Sequence, residues 1–552
     1  MDVDRRMLLQ LSALFAVPAC RGDSSPSPHA APPTPPASPP TPTPAAAAPA
    51  HEIEEATIAD LQARMASKQE TARSLLAKYR ARIEALDRAG PALRSVLELD
   101  PDADAMAAAL DAERAAGKVR GPLHGIPILV KDNLDTAGKL TTTAGSLALE
   151  GSIAPKDAFA VARLRDAGAI IFGKTNLSEW ANLRGAPAVS GWSGRGGQTK
   201  NPYALDRSPS GSSSGSAVAT AANLCAAAIG TETDGSITSP ASCCSLVGIK
   251  PTVGLVSRAG IVPIAASQDT AGPIARTVAD AAALLTVLAV LDPDDPKATL
   301  PVPGRPTALE DYTRALHPRA LAGARLGVPR MGYFGTHRGL DAAMTAALAK
   351  LAELGAVLVD PADFPPAPGL GDLELAVLQT EIKTLLPRYF AARGAPLHAL
   401  ADVIAFDRAH ADRELTLFGQ ELFEQADQKG PMTDRAYLDA RAQCVELARH
   451  QALDRVMHDH QLDAFVAPTG GPPWLIDPIL GDTIVGPPTT MLPAIAGYPH
   501  VTVPMGWTSG LPLGLSFFGA PWSEGKLLAY AFAYEQATHA RRPPRYEPTA
   551  HD

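Results

Sequence analysis

The sequence predicts an α/β fold built on a largely parallel or mixed β-sheet, and three observations predict it. From about residue 57 onward, short apolar runs alternate with amphipathic stretches, the pattern of strands exchanged for helices. The Ala-rich run from Ala217 to Ile229 carries no charge and reads as a buried helix passing into a buried strand. Beyond residue 51 there is no second linker and no internal repeat, so residues 51–552 read as one large domain. With 46% hydrophobic and 19% charged residues in 552, the chain is long and apolar enough to bury a large core.

Residues 1–20 read as an export signal. Arg5-Arg6 precede an apolar run from Met7 to Ala19 that is too short to span a bilayer. Arg5-Arg6 followed by Met-Leu-Leu resembles a twin-arginine signal, and Val17-Pro18-Ala19-Cys20 resembles a lipobox. That implies an exported, periplasmic or cell-envelope protein anchored at a lipidated Cys20; plain secretion with cleavage near Ala19 is the alternative. Residues 21–50 are almost all Pro, Ala, Ser and Thr and cannot build a packed core. Extended at about 3.1 Å per residue, they form a disordered tether.

The folded part then begins. Thr57 can N-cap a helix running to about Arg88, with Ile58, Leu61, Met65, Leu75, Leu76, Tyr79, Ile83 and Leu86 on its apolar face. A helix over about 102–117, a strand over 126–130, a helix over 158–167 and a strand over 169–173 follow. After Asp294 the pattern turns helical near 339–354, 397–428 and 433–459. Strands are expected at 325–329, 356–360, 464–467, 500–503 and 513–518. Cys225, Cys243, Cys244 and Cys444 make no disulfide framework and are expected as buried free thiols. A net charge of −9 without a basic tract gives no sign of nucleic-acid binding.

The chemistry concentrates in two small-residue turns around the apolar run, Gly211-Ser212-Ser213-Ser214-Gly215 and Thr233-Asp234-Gly235-Ser236. Upstream, Lys131 ends the strand-like run Ile126-Pro127-Ile128-Leu129-Val130 and is drawn towards the interior. A buried lysine is rare without a task or a partner, and desolvation favours the neutral amine a base requires.

Together, Lys131 in VKDN, the Ser-Gly-rich turn at Ser212 and TETDGSI at Ser236 resemble the amidase signature family. GIKPT at 248–252 and DTAGPIAR at 269–276 continue the resemblance, which spans about residues 52–540 and lies closest to bacterial peptide amidases. It implies a single amidase-signature domain, a mixed sheet covered by helices on both faces. It also implies a Ser-Ser-Lys triad, with Lys131 accepting a proton through Ser212 from the nucleophile Ser236. Ser212 stands 24 residues before Ser236, as the family pattern requires, and would follow a cis peptide after Gly211. Backbone N–H groups of Thr233, Asp234, Gly235 and Ser236 would form the oxyanion hole, with Ser213 and Asp269 in support. The family reaction is hydrolysis of carboxamides through an acyl-enzyme. Bacterial peptide amidases release the C-terminal amide of peptides as ammonia. No cofactor, metal, nucleic acid or obligate protein partner is implied. The membrane is met only through Cys20.

The sequence departs from the common pattern at Asp234, Thr238, Ser210 and Ser214, outside the catalytic three. The first two departures are shared with peptide amidases and turn away from the amidotransferase branch. Asn176, Ser178, Glu179 and Gln268 read as scaffold, and His458-Asp459-His460 as a solvated helix end rather than a metal site. Trp192 and Trp474 are loop tryptophans left outside the site, and the substrate pocket is placed in loops of 290–500.

Three alternatives remain. One is a broader amidase acting on aryl or aliphatic amides. Another takes GSSSG as a nucleophile elbow with Ser213 attacking, although the polar, Pro-containing segment 204–209 makes a poor preceding strand. A rate profile titrating near histidine's 6.5 is taken as that reading's mark. The third is a non-catalytic surface lipoprotein.

Overall fold

Thirteen strands, most of them drawn from runs rich in Val, Ile, Leu and Ala, pair in the computed structural model, which describes residues 52–292, 295 and 310–551. The export signal, Cys20 and the tether therefore lie outside the described residues. The strands are β1 (Val96–Leu99), β2 (Pro127–Lys131), β3 (Ile170–Thr175), the short pair β4 (Trp192–Ser193) and β5 (Gly197–Gln198), β6 (Ala227–Glu232) and β7 (Val247–Lys250). Then come β8 (Thr270–Ala275), β9 (Arg325–Gly327), β10 (Val357–Val359), β11 (Ala464–Pro468), β12 (His500–Thr508) and β13 (Leu511–Phe518). All but β4 and β5 join one sheet of eleven strands, ordered β1-β3-β2-β6-β8-β7-β12-β13-β11-β9-β10.

The sheet is mixed. β2 runs parallel to β3 and β6, and β9 parallel to β10 and β11, while the other pairs are antiparallel. Alternation along a strand shows helices on both faces. Ala464 and Val466 of β11 join the main apolar cluster, whereas Phe465 and Ala467 join a separate one beneath the C-terminal half's helices.

The expected helix from Thr57 to Arg88 is broken. It forms α1 (Ile58–Ala66), α2 (Ala72–Arg82) and a wider-wound turn over Ile83–Arg88. The apolar stripe has a gap between Met65 and Leu75, and Thr71 inside that gap caps α2 by accepting the Ser74 N–H. α3 (Ala103–Ala115) and α4 (Phe159–Asp166) sit where expected. The uncharged run becomes α5 (Ser214–Ala221) feeding β6, and α6 (Thr238–Cys243) follows the second serine turn. α7 (Val278–Leu288) and α8 (Arg338–Glu353) precede α9 (Leu370–Arg393), a 24-residue helix not foreseen because prolines precede it and Pro387 lies within it. The stretch 397–428 is three short helices, Leu400–Ala409, Ala411–Glu414 and Glu421–Asp427.

Candidate active site

The site lies at the carboxyl ends of two parallel neighbours, as open α/β sheets favour. β2 and β6 pair with Val130 opposite Ile229, so Lys131 ends its strand beside Thr231. The apolar side chains that hold β2 in the core carry Lys131 in with them, and it is fully buried. Its Nζ lies 2.7 Å from the Ser212 hydroxyl, 3.0 Å from Thr231 Oγ1 and 3.3 Å from the Thr231 carbonyl. Asn133 fixes the Thr231 hydroxyl, donating to it at 2.9 Å. Among the described residues no carboxylate pairs with Lys131, and burial pulls its pKa down to about 7 against the opposing pull of Glu232 and Asp269.

The first serine turn is pinned from several sides. The Gly211–Ser212 peptide is cis. A Cβ at 211 would sit 2.2 Å from the Ser178 hydroxyl, so any side chain there would push that hydroxyl aside. Ser178 N–H donates to the Ser212 carbonyl at 3.1 Å, and Ser213 N–H donates to the Ser236 carbonyl at 3.0 Å, joining the two serine turns. The Ser213 hydroxyl is spent on β6: it donates to the Thr231 carbonyl at 3.0 Å and accepts the Thr231 N–H at 3.2 Å. Ser212 and Ser236 line a common cavity of about 290 Å³; Ser213 does not.

The second turn is braced by acids. Asp269 accepts from the Thr233 hydroxyl at 2.7 Å and from the N–H groups of Ile264 and Ala265, both at 2.9 Å. Gln268 donates to the Thr233 carbonyl at 3.2 Å and to Glu374 of α9 at 2.7 Å. Glu232 accepts the N–H groups of Ile237 and Thr238 at 2.7 and 2.9 Å and the Thr238 hydroxyl at 3.1 Å, which accounts for threonine at 238. No protein acceptor among the described residues takes up the backbone N–H groups of Thr233, Asp234, Gly235 or Ser236. All four residues line the cavity, so unspent donors stand beside the nucleophile candidate.

Trp474, left outside the site on the sequence, and Asp482, which the sequence did not single out, also line the cavity. The Trp474 indole N–H donates to Asp482 at 2.8 Å, and Asp482 also takes the Ser190 N–H at 3.0 Å. A tryptophan eight residues before an aspartate in a Gly-Pro loop is too common a pattern to stand out. Trp192, its companion in that reading, is a packing anchor against Phe418, with ring centroids 5.4 Å apart. Part of the pocket wall comes from Asn182 and Ser190, upstream of the loops expected to build it.

Asn176 and Glu179 are scaffold: Asn176 donates to Thr199 at 2.9 Å, and Glu179 pairs with buried Arg184. His458 is 89% exposed at a helix end. The four described cysteines are buried and free. The structure speaks against the elbow reading: segment 204–209 forms no strand, Ser213 is occupied, and among the described residues no histidine lines the cavity. Its proposed mark does not discriminate, because burial brings Lys131 down to about 7 as well.

This architecture is that of a hydrolase acting on amide bonds, and comparison with known proteins agrees. The Amidase family matches residues 74–528, and the chain belongs to it. Among solved structures it is similar to the native peptide amidase of Stenotrophomonas maltophilia, at 52% identity over 90% of this chain and 100% of that one, with a TM-score of 0.86. It is 40% identical to a probable amidase of Arabidopsis thaliana over 90% of this chain and 92% of that protein. It is 38% identical to a putative amidase of Arthroderma benhamiae, covering 81% of this chain and 76% of that protein.

Proposed function

We propose that this amidase uses a Ser236–Ser212–Lys131 triad to hydrolyse the C-terminal amide of peptides to the free acid and ammonia. The observation that carries the triad is the 2.7 Å contact between Ser212 and a fully buried Lys131 that no carboxylate neutralises among the described residues. A neutral amine has two N–H groups and one lone pair. The two N–H groups suit Thr231 Oγ1 and the Thr231 carbonyl, which leaves the lone pair for the Ser212 proton.

The steps then balance. Ser236 Oγ bonds to the amide carbon, its proton passes to Ser212, and the Ser212 proton passes to Lys131. The oxyanion is met by the backbone N–H groups of the 233–236 turn. The C–N bond breaks, and ammonia leaves with a proton returned through Ser212. Water attacks the acyl-Ser236 by the same relay and frees the carboxylic acid.

One observation favours peptide amides over aryl or aliphatic amides: a peptide amidase is similar over its whole length. A second favours an amide over a free acid at the peptide C-terminus: among the described residues the charged groups lining the cavity are the acids Asp234 and Asp482, with no lysine or arginine to grip a carboxylate. The test gives the purified protein a peptide C-terminal amide, the same peptide as free acid and a simple aryl amide, following ammonia and intact mass. Ammonia from the peptide amide with internal bonds untouched is expected. Turnover of the aryl amide alone would remove the peptide assignment and keep the broader amidase. We also propose export and anchoring at Cys20, without an obligate protein partner or nucleic acid. Loss of membrane-fraction protein in Cys20→Ser is the expected result, and unchanged fractionation would contradict it.

A further inference from the structure

Ten large apolar side chains stand exposed among the described residues, and four of them fall within one ten-residue stretch: Leu475, Ile479, Leu480 and Ile484. Ile479 is 84% exposed and Leu480 64%. A clustered apolar patch in water signals a partner, whereas scattered ones do not. The loop that bears them is the wall of the active-site cavity. Trp474 at its start and Asp482 and Ile484 at its end line the cavity that holds Ser236.

The backbone here is held firmly. Asp477 accepts the N–H groups of Ile479 and Leu480 at 2.8 and 3.0 Å, and its carbonyl accepts the Gly481 N–H at 3.0 Å. Asp482 N–H donates to the Ala188 carbonyl at 2.9 Å, and Ser190 and Trp474 both donate to the Asp482 carboxylate. The turn is thus built to present Ile479 and Leu480 outward. Beyond the wall, Leu475, Thr483 and Val485 line a second cavity of about 340 Å³ that shares Trp474 with the first.

We propose that this loop is a binding rim for apolar residues upstream of the scissile amide, so that the enzyme selects peptide amides with a hydrophobic segment before the C-terminal residue. The proposal rests on the peptide-amide reading. A peptide with its last carbonyl at Ser236 must leave the cavity at its open side, and each upstream residue advances it by roughly 3.3 Å. Upstream residues that pass Ile484 at the cavity wall meet apolar side chains on a backbone already held in place, so little backbone ordering entropy opposes the contact. Ile479 and Leu480 are not among the residues that line the cavity with Ser212, Ser236 and the 233–236 turn, so their replacement is expected to leave the chemistry in place.

The test compares three acetylated substrates: a Gly-Gly amide, a Leu-Leu-Gly-Gly amide and a Ser-Ser-Gly-Gly amide. The full chain and its I479S/L480S variant are assayed for ammonia release. The wild type is expected to show a KM about tenfold lower for the Leu-Leu than for the Ser-Ser peptide. The variant is expected to lose that preference with kcat on the Gly-Gly amide unchanged. Equal KM for the two longer peptides in the wild type, or a preference that survives the double substitution, would overturn the rim. No ammonia from any of the three would overturn the peptide-amide reading and the rim with it. Sedimentation of both proteins, alone and with phospholipid vesicles, covers the rival occupants. A substitution that abolishes self-association or vesicle binding but not the kinetic preference assigns the loop to a second copy or to lipid and overturns the proposal.

Discussion

At the scale of single residues, the proposed chemistry turns on Lys131. Desolvation brings its pKa to about 7, so the neutral base exists in quantity near neutrality. The lysine gains its lone pair as pH rises, so kcat/KM should climb about tenfold per unit below pH 7 and level off above it. A flat profile between pH 5 and 8 would contradict this. His500, which the sequence did not single out, cannot supply that limb: burial and Lys250 push it down to about 3. Ser236→Ala should lower kcat by at least about 10⁴-fold, and Lys131→Ala nearly as much. Ser212→Ala should cost about 10²–10⁴-fold as the relay breaks. Ser213→Ala, which removes bonds to Thr231 only, should stay within about tenfold of wild type. A crippled Ser213→Ala beside a near-normal Ser212→Ala would move the relay by one residue. The run of three serines left that register open on composition; the bonds of Ser212 to Lys131 and of Ser213 to Thr231 now distinguish the two hydroxyls.

The elements matter through how closely they approach one another. α5 begins against the turn after β3: a Cβ at Gly215 would lie 2.4 Å from the Ser95 carbonyl and 2.5 Å from that of Asn176. Gly215→Ala should therefore cost about 1–3 kcal/mol and displace Ser212 from Lys131. The denaturant midpoint should fall and activity should fall further; an unchanged midpoint with full activity would contradict the packing. Strand cores and the elements around the serine turns were legible because uniform apolar runs leave few alternatives. Helix continuity was not. The Thr57–Arg88 stretch hid a cap at Thr71, the 397–428 stretch hid two breaks, and α9 hid behind its prolines.

For the whole molecule, residues far apart in sequence lie close together: Lys131 contacts Ser212, Ser212 and Ser236 share a cavity, and Asp269 braces the second turn, because each sits at the end of a buried element. The specificity wall was not legible. Trp474, Asp482 and Ile484 lie in a loop without periodicity, where only the folded chain shows which side chains share the cavity with Ser236. The apolar clusters described lie within residues 53–546, so a chain beginning at residue 51 should fold and turn over as the full chain does. A truncated chain that is unfolded or inactive would give the first 50 residues a structural part. The relay itself is tested most directly by fluorophosphonate labelling of the full chain, with the modified residue located by peptide mass. One label is expected, on Ser236, with a labelling rate that rises through about pH 7 and collapses in Lys131→Ala and Ser212→Ala. A label on Ser213, or a rate on Ser236 that neither substitution changes, would contradict it.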